Sequence, residues 1–230
     1  MQDLIDAYFA RHLALSEADA IALHRKYYTE YGLALTGLVK HHKIDPLEYN
    51  AQVDDALPLD EILHRDEKLR ALLVQIDRRR VKLWLLTNAH ITHARRVVTL
   101  LGVEEFFEGV TFCDYRVLPL VAKPHTEMFE KAEREAGAYA SGEGGGKRDC
   151  YFVDDSALNC KAARERSWRV VQKIEEEDPE PKGEGRWVRR LADLKGIWPG
   201  FFVDGTNEDG VAVNGHGQRC SCGLEEKDRL

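Results

Sequence analysis

The run Cys150-Tyr151-Phe152-Val153-Asp154-Asp155-Ser156 constrains the fold more than any other stretch of this chain. Its apolar, β-prone residues stop abruptly at two adjacent carboxylates and a hydroxyl. A buried strand of a parallel sheet ends in this way, where the carboxyl ends of strands meet a ligand. Neighbouring carboxylates repel, so they call for a cation or for hydrogen-bond donors beside them. One reading is a site for a hard cation such as Mg²⁺. The other is an ordinary strand-to-helix turn in which Asp or Ser caps the next helix. Three residues alone leave both readings open.

The flanking sequence supports a parallel sheet. Leu69 to Arg79 reads as an amphipathic helix, and Val81-Lys82-Leu83-Trp84-Leu85-Leu86 as a strand ending at Thr87-Asn88. Ile91 to Leu101 reads as a helix closed by Gly102. Val110-Thr111-Phe112-Cys113 reads as a strand ending at Asp114-Tyr115. Pro124 opens a helix to about Ala136. Ser141 to Lys147 is a Gly-rich surface loop. After the Asp-Asp strand come a helix over Ser156 to Arg166 and a short strand over Arg169 to Gln172. This alternation implies βαβ units. Glu175 to Gly185 is a solvated acidic loop, and Trp187 to Leu194 reads as a last helix.

Residues 1 to 65 carry apolar side chains at helical spacing and no convincing strand. Ser16 is placed to cap a helix that Gly32 ends. Further short helices fit Leu33 to His42, Pro46 to Asp54 and Leu59 to Leu63. The organisation expected is thus a helical unit over 1–65, an α/β core over 66–200, and a disordered tail over 201–230.

The 230 residues suffice for one large or two small domains. With 43% apolar and 32% charged residues, the chain reads as a soluble globular protein. A net charge of −7 argues against a general nucleic-acid partner. No apolar run approaches the length of a membrane span, and the N-terminus has no secretory pattern, so no membrane partner is expected. Cys113, Cys150 and Cys160 read as reduced residues of an intracellular protein, with the cytoplasm or nucleus as the expected location. Cys220, Cys222 and His216 have poor spacing for structural zinc.

Three strand ends line up chemically. Thr87 and Asn88 offer a hydroxyl and an amide, Lys123 an ammonium, and Asp154 and Asp155 two carboxylates. A phosphoryl group needs donors and positive charge on its oxygens, and Mg²⁺ neutralises the rest. Each element also has a plainer reading. Thr87-Asn88 suits a turn, Lys123 suits a surface, and the acid pair suits a cap.

In their order and spacing these residues resemble the haloacid dehalogenase-like (HAD) superfamily of phosphohydrolases. Thr87 matches its second motif, Lys123 its third, and Asp154-Asp155 its fourth. Tyr27-Tyr28-x-Glu30-Tyr31-Gly32-Leu33-Ala34, Glu48-Tyr49-Asn50 and Val53-Asp54-Asp55 look like the helical cap of fungal pyrimidine 5′-nucleotidases. Leu83 to Ala89, Phe112-Cys113-Asp114-Tyr115 and Lys123-Pro124-His125 extend the match over roughly residues 1 to 175. The resemblance implies a Rossmann-like core, a parallel sheet flanked by helices, with an N-terminal helical cap. It implies Mg²⁺-dependent removal of phosphate from a small phosphomonoester, specifically a pyrimidine nucleoside monophosphate. Thr87, helped by Asn88, would bind a phosphoryl oxygen. Lys123 would screen the nucleophile, and one or both of Asp154 and Asp155 would hold Mg²⁺. Asn159 could orient the acidic loop. Tyr27, Tyr31 and His41 or His42 are candidates for substrate choice, although tyrosines on an apolar helix face commonly serve the core.

The family's first motif is a strand ending in Asp-x-Asp, which supplies the nucleophile and the general acid and base. These 230 residues contain no Asp-x-Asp. The closest imitation, Phe201-Phe202-Val203-Asp204-Gly205-Thr206, has Phe at the nucleophile position and reads as coincidence. By resemblance the missing strand lies beside the Asp-Asp strand, so exposed strand edges and no turnover are expected of this chain. A non-catalytic phosphate- or nucleotide-binding protein is the alternative reading. In a form carrying the extra strand, Lys123→Ala and Asp155→Asn are expected to abolish activity without unfolding. The oligomeric state is left open.

Overall fold

The computed structural model describes residues 2–139, 148–181 and 185–203. The Gly-rich segment at 141–147 and the Cys220, Cys222 and His216 group lie outside them.

The first third is helical: α1 (Gln2–Leu13), α2 (Glu17–Tyr31), α3 (Ala34–His42), α4 (Pro46–Gln52) and α5 (Leu59–Ile62). Local signals set these ends. The Ser16 hydroxyl accepts the Asp19 N–H, capping α2. Replacing Ser16 with Ala is expected to lower stability by about 1 kcal/mol, measurable by urea unfolding. Asp45 caps α4 in the same way through the N–H groups of Leu47 and Glu48. Gly32 ends α2 with φ +73°, a conformation that costs a side-chain-bearing residue about 1–2 kcal/mol. The helices bury Tyr8, Phe9, Tyr27, Leu35, Leu38 and Val53 against one another. The same cluster takes in Cys113, Tyr115, Leu120 and Ala122 from the α/β part, so the helical layer and the segment after β2 share a core.

The remainder alternates: α6 (Glu67–Val74), β1 (Leu85–Thr87), α7 (Ile91–Leu100), β2 (Val110–Phe112), α8 (Thr126–Glu135), β3 (Tyr151–Asp154), α9 (Ala157–Glu165), β4 (Arg169–Lys173), β5 (Arg186–Val188) and α10 (Leu194–Ile197). All described ladders are parallel. They form two sheets, β1-β2 and β3-β4-β5. One edge of β1 and one of β3 therefore have no strand partner among the described residues. Phe129 of α8 is buried against Phe152, Cys160, Ala163 and Val170, and Leu86 of β1 packs on that cluster. Both ladders thus lean on one apolar core.

Several sequence expectations need correction. The helix expected over 69–79 stops at Val74 because Ile76 bridges to Phe202 and the Asp77 N–H donates to the Phe201 carbonyl. Val203 N–H likewise reaches the Gln75 carbonyl at 2.8 Å. Residues 201–203 are therefore held by hydrogen bonds where a disordered tail is expected from 201, and the rest of that expected tail lies outside the described residues. The helix expected over 187–194 is instead β5, which pairs with Val171–Lys173 of β4. Trp187 and Val188 suit a strand, and the open edge of β4 decides between the two states. Strand β1 is shorter than Val81 to Leu86, because regular pairing with β2 starts only at Leu85. Pro124 precedes α8 without opening it; a turn closed by the His125 N–H on the Ala122 carbonyl intervenes.

Sequence reading also missed a buried carboxylate. Glu133 on α8 is 1% exposed and accepts from Trp168 Nε1 at 2.8 Å, Arg166 Nη2 at 2.9 Å and Tyr139 Oη at 2.7 Å. Satisfied in this way, it ties α8 to the turn before β4.

Candidate active site

Residues along a strand point their backbone groups alternately to either side. The Leu85 N–H donates to the Gly109 carbonyl beside β2, so the carbonyl of Leu86 points the other way, toward the unpaired edge. There it accepts from Lys123 Nζ at 2.9 Å. The same ammonium donates to Asp154 Oδ2 at 2.6 Å. Lys123 thus bridges the break between the sheets, satisfying a backbone carbonyl of β1 and a carboxylate of β3. Its side chain is only 8% exposed and that of Asp154 only 7%, so Lys123 is no surface lysine.

Asn88 aims this lysine. Its Oδ1 accepts the Lys123 backbone N–H at 2.7 Å and its Nδ2 donates to the Lys123 carbonyl at 2.9 Å. Thr87 Oγ1 accepts the Ala89 N–H at 3.0 Å, which leaves the hydroxyl proton for another acceptor. Asp154 Oδ1 receives the Ser156 N–H and Asn159 Nδ2, both at 2.9 Å. Asp155 is exposed, and its only described hydrogen bond is through the backbone carbonyl, from Gln172 Nε2 at 3.2 Å.

Thr87, Asn88, Lys123, Asp154 and Asp155 thus gather at the C-terminal ends of β1 and β3. Tyr27, Tyr31, His41 and His42 do not join them. Tyr27 Oη contacts His42 Nε2 and Tyr31 Oη contacts His41 Nε2, each at 2.8 Å, and none makes a described hydrogen bond to the five. Two helical-layer contacts that sequence reading missed do reach the site. Tyr28 Oη meets Ser156 Oγ at 2.9 Å beside the acid pair. A Cβ on Gly32 would lie 1.9 Å from Pro124 Cδ, so the end of α2 presses on the Lys123-Pro124 segment.

The donor set suits a hard cation. Two carboxylates and one ammonium leave one negative charge in excess, and Asp155 presents its oxygens to solvent. Mg²⁺ commonly takes one or two carboxylates and completes its shell with water and phosphate oxygens. Among the described residues no group of three or more His, Cys, Asp or Glu side chains could enclose a metal. Cysteine chemistry is disfavoured. Burial pushes the thiols of Cys113 and Cys160 up to about 12, so neither supplies a thiolate near neutrality. Among the described residues no helix is long and apolar enough to cross a membrane.

In this α/β chain a lysine–carboxylate pair joins the end of β1 to the end of β3, one residue from Thr87. The chain belongs to the haloacid dehalogenase-like hydrolases, whose family pattern matches residues 3–165. It is 36% identical over 171 residues to phosphate metabolism protein 8 of Saccharomyces cerevisiae, a match covering 71% of this chain. That match covers 51% of the yeast protein, so the chain spans about half the length of this curated relative. A solved dehalogenase with an intermediate complex is similar in fold at TM-score 0.51 and 14% identity, with 87% of this chain and 92% of that one covered. A HAD phosphatase from Thermococcus onnurineus gives TM-score 0.47 and 17% identity over 88% and 90% of the two chains.

Proposed function

We propose that this chain carries most of a Mg²⁺-dependent phosphomonoesterase site that converts a pyrimidine nucleoside monophosphate and water into nucleoside and phosphate. The observation that carries this reading is the Lys123–Asp154 pair, clamped by Asn88, with Thr87 next to the Leu86 carbonyl that Lys123 also binds and Asp155 next to Asp154 in the chain. In this reading the Thr87 hydroxyl donates to a phosphoryl oxygen, and the Lys123 ammonium offsets negative charge where phosphate and carboxylates crowd together. Asp155 is assigned as the direct Mg²⁺ ligand because the oxygens of Asp154 already serve Lys123, Ser156 and Asn159. Bound there, Mg²⁺ would neutralise charge on the phosphoryl oxygens. The phosphate metabolism named for the yeast relative agrees with the phosphate part of this reading. The base specificity rests on the resemblance of the helical layer alone. A cytoplasmic or nuclear setting is part of the same proposal.

The nucleophile is proposed to come from a strand ending in Asp-x-Asp that enters between β1 and β3. Their two unpaired edges support that position. Without it, the 230-residue chain is expected to release no phosphate from UMP or CMP. A form extended by such a strand should release phosphate from both with Mg²⁺ and lose this on chelation. No phosphomonoester turnover by the extended form would sink the assignment. Turnover by the 230-residue chain would show that a different nucleophile operates. The alternative, a non-catalytic nucleotide binder, requires Mg²⁺-dependent thermal stabilisation by UMP with no turnover in either form.

A further inference from the structure

The β3-β4-β5 sheet carries a cleft on the face turned away from α9. Phe152 and Val170 pack on Cys160 and Ala163 of α9, so their chain neighbours Tyr151 and Arg169 point to the other face. Tyr151 pairs with Arg169, and Arg186 pairs with Val171, two residues after Arg169, so all three side chains share that face. Trp198 and Phe201, in the segment after α10, close over them and leave a cleft of about 430 Å³. Small-molecule sites occupy roughly 300–1,000 Å³.

The covering segment is tied in place. The Phe201 carbonyl accepts the Asp77 N–H at 2.8 Å, and the Val203 N–H donates to the Gln75 carbonyl at 2.8 Å. Tyr151 meets the rings of Trp198 and Phe201 nearly at right angles, at 5.2 and 4.5 Å, and those two rings are tilted by 47°. None of the three pairs stacks face to face, so a flat ring can still find a parallel partner among them.

Positive charge gathers at the same place. The Arg169 guanidinium lies 5.6 Å from the Tyr151 ring centroid, and its described ion pair, to exposed Asp149, is long at 3.4 Å. Arg186 reaches the Ile197 carbonyl at 3.5 Å. A Cβ on Gly200, which lines the cleft, would lie 3.8 Å from Arg80 Nη2, so a third guanidinium stands at the rim. The nearby Asp77 carboxylate is gripped by Arg79 through Nε and Nη2, both at 2.8 Å. Among the described residues no carboxylate forms a salt bridge with Arg80 or Arg186. In a chain of net charge −7, three guanidiniums with one long ion pair between them suit an anion.

We propose that this cleft binds a nucleoside phosphate, its phosphate on Arg169 and Arg186 and its base against Trp198 and Tyr151. Guanidinium forks take phosphate oxygens in pairs, and aromatic rings take bases by stacking. The negative charge of the whole chain disfavours a nucleic acid, because a long polyanion meets the field of the entire molecule and a small anion mainly the local one. Tyr151 begins β3 and Asp154 ends it, so the cleft and the acid pair lie about 10 Å apart along the strand, at opposite ends. No carboxylate, serine, cysteine or histidine is among the described residues that line the cleft, so it binds and does not catalyse.

The test is calorimetric titration of the 230-residue chain with AMP in EDTA at low ionic strength. A purine nucleotide without Mg²⁺ keeps the measurement away from the site at Thr87 and Lys123. AMP should bind, and adenosine and inorganic phosphate should each bind at least tenfold more weakly. Arg169→Gln combined with Arg186→Gln should weaken AMP at least tenfold, the size of one charge-assisted hydrogen bond. Trp198→Leu should weaken it about tenfold through lost stacking. Thr87→Val should leave AMP affinity unchanged. Absence of AMP binding overturns the proposal, as does inorganic phosphate binding as tightly as AMP, or AMP affinity that survives the two arginine substitutions. A single-stranded oligonucleotide that binds more tightly than AMP and displaces it also overturns the assignment. Trp198 is half-buried, whereas Arg169 and Arg186 are exposed. If Trp198→Leu fails to fold, the arginine variant therefore decides.

Discussion

Lys123→Ala should cost the fold about 3–5 kcal/mol, the penalty for leaving one member of a buried ion pair unpaired. The ammonium is nearly sealed from water and meets both Asp154 Oδ2 and the Leu86 carbonyl. Its loss leaves a buried carboxylate without its counter-charge and a strand-edge carbonyl without a donor. Domains are stable by only about 5–15 kcal/mol, so this one change could consume much of the margin. Urea unfolding should show a clearly lower midpoint with an unchanged slope. Lys123→Met with Asp154→Leu should recover much of the loss, because a buried pair replaced by apolar groups is often neutral or stabilising. Asp155→Asn provides the contrast. That side chain is exposed, so stability should move by no more than about 0.5 kcal/mol. A Lys123→Ala variant as stable as wild type would show that water reaches the pair.

Gly32→Ala should lower stability by about 2–5 kcal/mol, combining left-handed strain with overpacking. The strain follows from φ +73°. The overpacking follows from the added Cβ, which would stand 1.9 Å from Pro124 Cδ and 2.5 Å from the Lys123 carbonyl. These are not flexible side-chain tips that can swing aside. Relief requires α2 and the Lys123-Pro124 segment to part, which also disturbs the grip of Asn88 on that carbonyl. Phosphate affinity should therefore fall along with the unfolding midpoint. A variant with wild-type stability would show that the helical layer does not press on the site as closely as described.

Most elements were legible because their signals are local. Ser16, Asp45 and Gly32 mark helix ends through hydrogen bonds and dihedral angles decided within a few residues. Thr87 and the acid pair were legible because strand ends in a parallel sheet point toward ligand. The errors arose where distant chain decided. Gln75 to Asp77 left their helix for Phe201 to Val203, and Arg186 to Val188 became a strand because β4 had an edge to offer. Glu133 gave no sequence signal, since two of its three donors, Arg166 and Trp168, come from the turn before β4, more than thirty residues away.

The sequence by itself determined the order of helices and strands and the kinds of group at each strand end: hydroxyl, amide, ammonium and carboxylate. It also determined that no Asp-x-Asp is among them. Only the tertiary structure decided what each group does to the others. It buried Lys123 between two sheets, committed Asp154 to that lysine, left Asp155 open, and linked Asn88 to Tyr115. The physical reason is range. Caps and alternation are set by neighbours in the chain, whereas burial and ion pairing are set by which surfaces meet after folding. Asp154 and Asp155 are adjacent and chemically identical, yet the fold gives them opposite environments.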